Sequence, residues 1–185
     1  MSLAVAPPPH PAAGRSPDEM PSLALPPDIR LQISLDDFRE LCAVNRDLRF
    51  ERTAEGVLIA MTPAGVDSGN QNSTLNGRLF IWATAHEIGR LFDSSTGFTL
   101  PNGAIRSPDS SWINNDRWNA LPSAQRKGFA PICPDFVAEL RSPSDSKTAM
   151  RAKMAEYLAN GARLGWLIDP LDSTVEIYRP ERDVE

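Results

Sequence analysis

A strand, a helix and a second strand follow one another between residues 132 and 179, and this order limits the choice of fold more than any other feature. Residues 132–141 alternate apolar side chains between two faces, which predicts a strand. Residues 144–160 predict a helix, because a serine or an aspartate can cap its start and a glycine follows its end. Residues 165–169 and 174–179 predict a buried strand and its hairpin partner.

The upstream half adds two helices and several short strands. Ser34 can cap a short helix, and the apolar spacing from about Asn70 to Arg90 predicts a long one. Residues 118–129 are polar and are predicted to form a loop. The predicted strands in this half are 48–53, 57–61, 91–93, 98–100 and 104–113. This order of elements indicates an α/β (α+β) fold with a mixed β-sheet flanked by helices.

The first 28 residues differ in composition from the rest of the chain. Eight of the seventeen prolines lie in residues 1–28, which carry few large apolar side chains. Such a segment has little to bury, so we expect a disordered arm that the fold does not need. Residues 29–185 are expected to form a single domain, because their number suits one hydrophobic core.

Composition argues against several classes of protein. The net charge of −5 does not suit a protein that coats nucleic acid, which would carry a basic stripe. No apolar run reaches the roughly 18–20 residues that cross a membrane, and no export signal opens the sequence. We therefore expect a soluble cytoplasmic protein with no membrane partner. A cysteine-based zinc site is excluded, because the two cysteines form no CxxC pair.

Glu139 and Lys153 stand where folding alone would not place charged residues. Glu139 lies in the middle of an apolar strand, where a carboxylate is costly unless it is paired or bound to a metal. Lys153 falls on the core-facing stripe of the predicted helix. A structural ion pair between them, or a lysine that extends to solvent, would explain both residues without any activity.

A third residue, Asp109, favours a functional site over a structural ion pair. A carboxylate on one strand, a second on the neighbouring strand and a lysine on the next helix can converge on one point. Two carboxylates suit Mg²⁺, which completes its shell with waters and a phosphate. A lysine beside them can orient the attacking water or help to deprotonate it. Asp109, Glu139 and Lys153 are thus the set needed to hydrolyse a phosphodiester.

A basic stretch surrounds this region in an otherwise acidic chain. From Arg141 to Lys153 the net charge is +3. We expect this stretch to steer a DNA backbone toward the site.

Several short motifs occur in a characteristic order over roughly residues 30–180. They are Arg49-Phe-Glu-Arg52, Met61-Thr-Pro-Ala-Gly65, Arg106-Ser-Pro-Asp109, Pro134-Asp-Phe-Val-Ala-Glu-Leu-Arg-Ser-Pro-Ser144, Lys153-Met-Ala-Glu-Tyr157 and Gly165-Trp-Leu-Ile-Asp-Pro170. In these motifs the sequence resembles a bacterial family of restriction-endonuclease-like proteins within the PD-(D/E)xK nuclease superfamily. The resemblance implies a restriction-endonuclease-like core.

The resemblance also implies roles for five residues. Asp109 looks like the first motif aspartate and Glu139 like the acidic residue of the (D/E)xK motif, so both are expected to bind Mg²⁺ or Mn²⁺. Arg141 stands where the motif lysine would fall, and the family commonly takes a lysine from the following helix, which matches Lys153. Arginine stays protonated, so Arg141 is expected to contact a phosphate or to be a solvated strand end. Glu51 matches a recurrent family glutamate and is either a further acidic site residue or a surface charge.

Three other residues have simpler interpretations. Asp135 offers a competing Pro-Asp pair, but it lies about 13 Å from Glu139 along the same strand, so Asp109 is preferred. Asp169 precedes a proline and is expected to form a turn. His86 lies on the apolar side of its helix, so we expect it in the core or at an interface.

These observations lead to three hypotheses of function. The first is a metal-dependent endonuclease that hydrolyses phosphodiester bonds of DNA. The second is a catalytically weak or inactive nuclease fold kept as a binding or regulatory module, which the net charge and the missing lysine at position 141 support. A carboxylate-pair hydrolase such as a glycosidase is weaker, because a lysine lies between the acids. The oligomeric state stays open, although a homodimer would suit double-strand cutting.

Overall fold

The computed structural model describes residues 30–185, of which Leu31–Glu185 form one compact unit. The α-helices are α1 (Leu35–Val44), α2 (Val66–His86), α3 (Asn115–Ala120) and α4 (Lys147–Ala159). The strands are β1 (Arg49–Arg52), β2 (Leu58–Met61), β3 (Gly89–Asp93), β4 (Phe98–Thr99), β5 (Ile105–Arg106), β6 (Ser110–Asn114), β7 (Phe136–Leu140), β8 (Leu164–Asp169) and β9 (Thr174–Tyr178). The arm expected at residues 1–28 lies outside the described residues.

A five-stranded mixed sheet forms the centre of the fold, with strand order β3-β6-β7-β8-β9. Its parallel pair joins β7 to β8, and α4 makes the connection between them. The other neighbouring strands in this sheet are antiparallel. Met154 and Tyr157 of α4 share a fully buried core with Ile113, Val137 and Leu167 of the sheet. The predicted mixed sheet flanked by helices is confirmed.

A second sheet, which the sequence did not predict, contains four antiparallel strands in the order β2-β1-β5-β4. Residues 104–113, predicted as one strand, are divided between the sheets, with β5 in this one and β6 in the central one. The break falls at Ser107-Pro108-Asp109, because Pro108 has no N–H to give to a ladder. The prediction of a single strand is therefore wrong, and Asp109 lies where the chain enters the central sheet.

The long helix α2 begins and ends earlier than predicted. Gly65 occupies its N-cap position, so the helix starts well before Asn70. Glu87 ends it with a φ of 51°, a left-handed value that stops a helix. Gly89 belongs to β3, where a Cβ would lie 2.2 Å from the Trp112 ring. A glycine is therefore needed at this close approach of strand and ring.

Other boundaries differ by smaller amounts. Residues 118–129, predicted as a loop, include the end of α3 and a short 3₁₀ helix. Ser146 caps α4 in place of Ser144 or Asp145, because its Oγ accepts the N–H three residues further on. The Ser34 cap and the β1–β2 and β8–β9 hairpins are confirmed. None of the helices in residues 30–185 has the length and apolar character to cross a membrane.

Candidate active site

The register of the central sheet places Asp109 beside Glu139. β6 and β7 run antiparallel with Ser110 opposite Ala138. The residues one step further along each strand, Asp109 and Glu139, therefore fall opposite each other on one face. The Leu140 N–H donates to Asp109 Oδ2 at 2.7 Å, which holds the aspartate at the end of β7. The fold thus brings together two carboxyl groups that are distant in sequence.

Lys153 lies between Glu139 and Glu51. Its Nζ is 2.9 Å from Glu139 Oε1 and 3.0 Å from Glu51 Oε1. Both glutamates are only 3% exposed. Two close carboxylates hold this ammonium group, which compensates for its removal from water. We refer to Glu51, Asp109, Glu139 and Lys153 as the carboxylate–lysine cluster.

Glu51 connects the second sheet to this cluster. It lies on β1, and its Oε1 accepts the Ser107 N–H at 2.8 Å while its Oε2 pairs with Arg106 at 3.1 Å. Arg106 in turn pairs with Glu156 of α4 at 2.6 Å. Glu51 is therefore a buried anchor that joins the second sheet to α4, and its burial rules out the interpretation as a surface charge.

Sequence reasoning missed several polar partners of the cluster. The Tyr157 hydroxyl donates to Glu139 Oε1 at 2.8 Å, and Asn76 Nδ2 of α2 donates to the Asp109 carbonyl oxygen at 2.9 Å. Tyr157 follows Lys153 by one helical turn, so the i,i+4 spacing was a signal for it. No sequence signal marked Asn76, because its contact spans 33 residues and depends on how α2 packs.

Burial is the largest influence on the carboxyl groups of the cluster. It raises the pKa of Glu139 to about 7, helped by the negative charges of Asp109 and Glu51 and opposed by Lys153. Burial also raises the pKa of Asp109. At Glu51 burial acts upward too, but the charges of Lys153 and Arg106 outweigh it and lower the pKa. Glu139 is therefore the group of the cluster whose charge changes near neutral pH.

Lys153 stays protonated in this arrangement. Burial acts to lower the pKa of its ammonium group, but the charges of Glu139 and Glu51 reverse this effect and raise the pKa. A protonated lysine cannot accept a proton from water. Lys153 can therefore orient its neighbours and stabilise negative charge.

Arg141 belongs to a different group of charges. It pairs with Asp169 at 2.9 Å, and Lys147 pairs with Asp169 at 3.2 Å and with Asp172 at 2.8 Å. Asp169 also accepts the N–H groups of the two residues that follow Pro170, so it forms the expected turn. We refer to Arg141, Lys147, Asp169 and Asp172 as the paired cluster.

The basic stretch is neutralised along its whole length. Arg141 and Lys147 lie in the paired cluster, Arg151 pairs with Glu176, and Lys153 pairs within the carboxylate–lysine cluster. Each of the four basic side chains has an acidic partner. The +3 charge counted from the sequence therefore does not form a free basic surface.

Two residues with simpler interpretations are also placed by the structure. Asp135 Oδ1 lies 2.8 Å from Arg117 Nη1, and its Oδ2 accepts the Asn114 N–H, so it is part of the scaffold. His86 is exposed, with Nδ1 2.8 Å from the Trp82 carbonyl oxygen. A core position for His86 is wrong, because this side chain lies at the surface, and an interface position stays a prediction.

The carboxylate oxygens of the cluster suit a hard cation whose coordination shell the protein fills only in part. Asp109 and Glu139 offer carboxylate oxygens, which suit Mg²⁺ and Mn²⁺. Within residues 30–185, no three His, Cys, Asp or Glu side chains gather in a way that could hold an ion by themselves. Mg²⁺ commonly uses one or two carboxylates and completes its shell with waters and phosphate oxygens. A carboxylate pair suits such an ion.

Comparisons with known proteins agree with this fold. The Uma2 family, described as "Putative restriction endonuclease", matches residues 35–185. The crystal structure of "a putative nuclease belonging to DUF820" from Anabaena variabilis superposes with a TM-score of 0.69, at 27% identity and over 83% of each chain. A search of curated proteins found no match. Since the family match spans almost all of the described residues, the chain belongs to the Uma2 family and shares the fold of restriction-endonuclease-like proteins.

Proposed function

We propose that this protein is a metal-dependent endonuclease that hydrolyses phosphodiester bonds of DNA. The observation that carries the proposal is the meeting of Asp109 and Glu139 on neighbouring strands, with Lys153 held beside them. Such a group of buried charges contributes little net stability, so chemistry explains it better than folding does. Membership of the Uma2 family supports the reaction class.

Asp109 and Glu139 are the residues that would hold Mg²⁺ or Mn²⁺. Such an ion, when bound, polarises a phosphoryl oxygen and lowers the pKa of a coordinated water. The Leu140 N–H keeps Asp109 at the strand end, and the Tyr157 hydroxyl keeps Glu139 in position. The protein thus orients both carboxylates before any ligand arrives.

Lys153 and Arg141 supply positive charge at the same edge of the sheet. Lys153 stabilises the negative charge that develops on the phosphoryl group in the transition state. Glu51 holds Lys153 in place, since it accepts from both Lys153 and Arg106. Arg141 follows β7 directly and is proposed to contact a phosphate, with Asp169 orienting its guanidinium group.

A second candidate function is a nucleic-acid-binding or regulatory module without hydrolysis. Lys153 already occupies Glu139 Oε1, and a metal ion would have to compete with this ion pair. Position 141 carries an arginine, and the net charge is −5. These observations favour a module if the two carboxylates do not bind a cation.

Metal binding and DNA cleavage together test the proposal. We expect calorimetry to show binding of Mg²⁺ or Mn²⁺, and incubation with supercoiled plasmid and single-stranded DNA to show cleavage that EDTA abolishes. Asp109→Asn should lose both activities, whereas Asp172→Asn, a change in the paired cluster, should keep them. An unmodified protein that binds no metal and cuts no DNA would favour the binding module.

A homodimer is part of the same proposal, because two sites are needed to cut both strands of a duplex together. The outer surface of α2 carries exposed apolar side chains that suit pairing, among them Phe80 and Ile81 at 60% and 70% exposure. Sedimentation velocity should show a dimer, and a monomer that only nicks plasmid would contradict it. DNA as the substrate also favours a cytoplasmic location.

A further inference from the structure

A groove lies beside the candidate active site, on the opposite face of the central sheet. Its volume is about 390 Å³, within the range of sites that take small ligands. Leu75 of α2 forms one wall, and Leu140, Ile168 and Val175 of three neighbouring strands form the floor. The register confirms this floor, since Leu140 lies next to Ile168 and Ile168 next to Val175.

The groove and the carboxylate–lysine cluster lie on opposite faces of the sheet and meet at Leu140, at the end of β7. The side chain of Leu140 lines the groove, while its N–H donates to Asp109 Oδ2. Glu139 precedes Leu140, and its side chain points to the other face, because side chains alternate along a strand. A DNA strand that contacts both the groove and the two carboxylates must therefore pass around the end of β7.

The rim of the groove carries groups that recognise nucleotides. Asn70, Gln71 and Arg78 of α2 line it, and all three are exposed. Among the ion pairs formed by residues 30–185, none involves Arg78. An amide side chain can pair with a base edge, as Asn and Gln do with adenine. A free guanidinium group suits a phosphate.

We infer that this groove receives one unstacked base of the DNA strand whose phosphate lies at Asp109 and Glu139. This inference rests on the proposed nuclease function. The apolar floor of Leu140, Ile168 and Val175 contacts the faces of the base, and the amides of Asn70 and Gln71 meet its edge. Arg78 contacts a phosphate next to the one that is cut.

The inference predicts a preference for single-stranded or frayed DNA. A base enters such a groove only after it leaves the helical stack, which costs energy in a duplex and little in a single strand. Removal of one face of a base from water against this aliphatic floor is enough to change affinity by about tenfold. Cleavage and binding should therefore both favour single strands.

A groove-filling variant tests this inference. Val175 is 49% exposed on the floor of the groove, and Ile59, 36% exposed on β2, lies in the other sheet. Val175→Trp should weaken binding of a single-stranded 12-mer about tenfold, measured by fluorescence anisotropy in EDTA, whereas Ile59→Trp should leave it unchanged. Circular dichroism of both variants should match the unmodified protein. If the Val175→Trp protein fails this check, Arg78→Ala takes its place, because the smaller side chain requires no additional space.

Photocrosslinking shows where the base lies. An oligonucleotide that contains 4-thiothymidine should crosslink in EDTA to peptides of residues 70–78 or 168–175, and Val175→Trp should abolish these products. Crosslinks at other peptides, or unchanged DNA binding and cleavage by Val175→Trp, would overturn the inference and leave the nuclease proposal intact. Groove crosslinks without any cleavage would support the base site and contradict the nuclease. A change of oligomeric state in Val175→Trp would overturn the inference, because it would assign the groove to a second copy of the chain.

Discussion

The carboxylate–lysine cluster and the paired cluster lie near the ends of neighbouring strands, but their charges are balanced in opposite ways. Asp169 of the paired cluster has two basic partners and two backbone N–H donors. Burial acts to raise its pKa, but the hydrogen bonds from Arg141 and Lys147 outweigh it and hold the pKa at about 2. Glu139 shares one lysine with Glu51, and its pKa is raised to about 7.

The difference shows that burial alone does not set the pKa of a carboxyl group, since Asp169 and Glu139 are 1% and 3% exposed and their pKa values move in opposite directions. The supply of positive partners separates them. A carboxylate with more donors than it needs is stabilised in its charged form and supports the fold. A carboxylate that lies close to other carboxylates has too few positive partners for its negative charge. Such groups concentrate at functional sites. A cation bound at Asp109 and Glu139 would supply the missing positive charge.

The largest expected effect is a difference in DNA cleavage between a variant of the carboxylate–lysine cluster and a variant of the paired cluster. Glu139→Gln should reduce DNA cleavage on the order of 10³-fold, because a neutral amide is a poor ligand for Mg²⁺. Asp169→Asn should lower the melting temperature and reduce cleavage far less than Glu139→Gln does, because it only releases the Arg141 guanidinium group that Asp169 orients. Plasmid cleavage rates at a temperature below both transitions give the comparison. Equal loss of activity in the two variants would show that the clusters act as one unit.

Lys153→Met should strongly destabilise the protein. The change leaves Glu139 and Glu51 buried without their shared cation, and breaking a buried pair costs about 3–5 kcal/mol. Urea unfolding at pH 8 measures this cost, and Mg²⁺ should recover part of it by binding near Glu139. A variant as stable as the unmodified protein would show that Lys153 contributes to chemistry alone.

Stability should depend on pH in opposite directions in the two clusters. The pKa of Glu139 is raised from 4.5 to about 7, so its contribution is complete below about pH 4.5 and is lost as the pH rises through about 7. The pKa of Asp169 is lowered from 3.8 to about 2, so its contribution is present above about pH 3.8 and is lost as the pH falls toward 2.

Urea unfolding across this range separates the two contributions. Glu139→Gln should lack the decline between about pH 4.5 and 7, which is at most about 1.4 kcal/mol per pH unit for one proton. Asp169→Asn should keep that decline and lack part of the loss below about pH 3.8. If Glu139→Gln still showed the decline between about pH 4.5 and 7, another group, with Asp109 as the first candidate, would be the one that titrates.

The fold could be predicted where it depends on neighbours in sequence. The β7, α4, β8 and β9 segments carry alternating apolar residues, a serine cap and a tight turn, which are local signals. The division of residues 104–113 could not be predicted, because β5 pairs with β1 and β4 in another sheet. That choice of partners depends on contacts between distant segments.

The site could be predicted to the extent that its residues break a local pattern. Glu139 and Lys153 are charges in apolar stretches, and Asp109 was found through them and the family motif. Arg106 breaks no pattern, and its role arises from a contact with Glu51 that spans 55 residues. Tyr157 was marked only by its spacing from Lys153, and its contact with Glu139 spans 18 residues. The pairing of the basic stretch could not be predicted for a related reason, since the acidic partners of its side chains lie elsewhere in the chain.

The smallest expected effect comes from Arg151, which sequence reasoning included in the basic stretch. Its side chain is 54% exposed and pairs with Glu176, so Arg151→Ala should leave the melting temperature and the cleavage rate unchanged within error. DNA binding across a range of salt concentrations gives the sharper measurement. Loss of one phosphate contact reduces the salt slope by about one. Because Glu176 already neutralises Arg151, we expect no change in slope, whereas Arg78→Ala should reduce it. A reduced slope in Arg151→Ala would mean that the ion pair opens when DNA binds, and that the basic stretch steers the backbone despite its acidic partners.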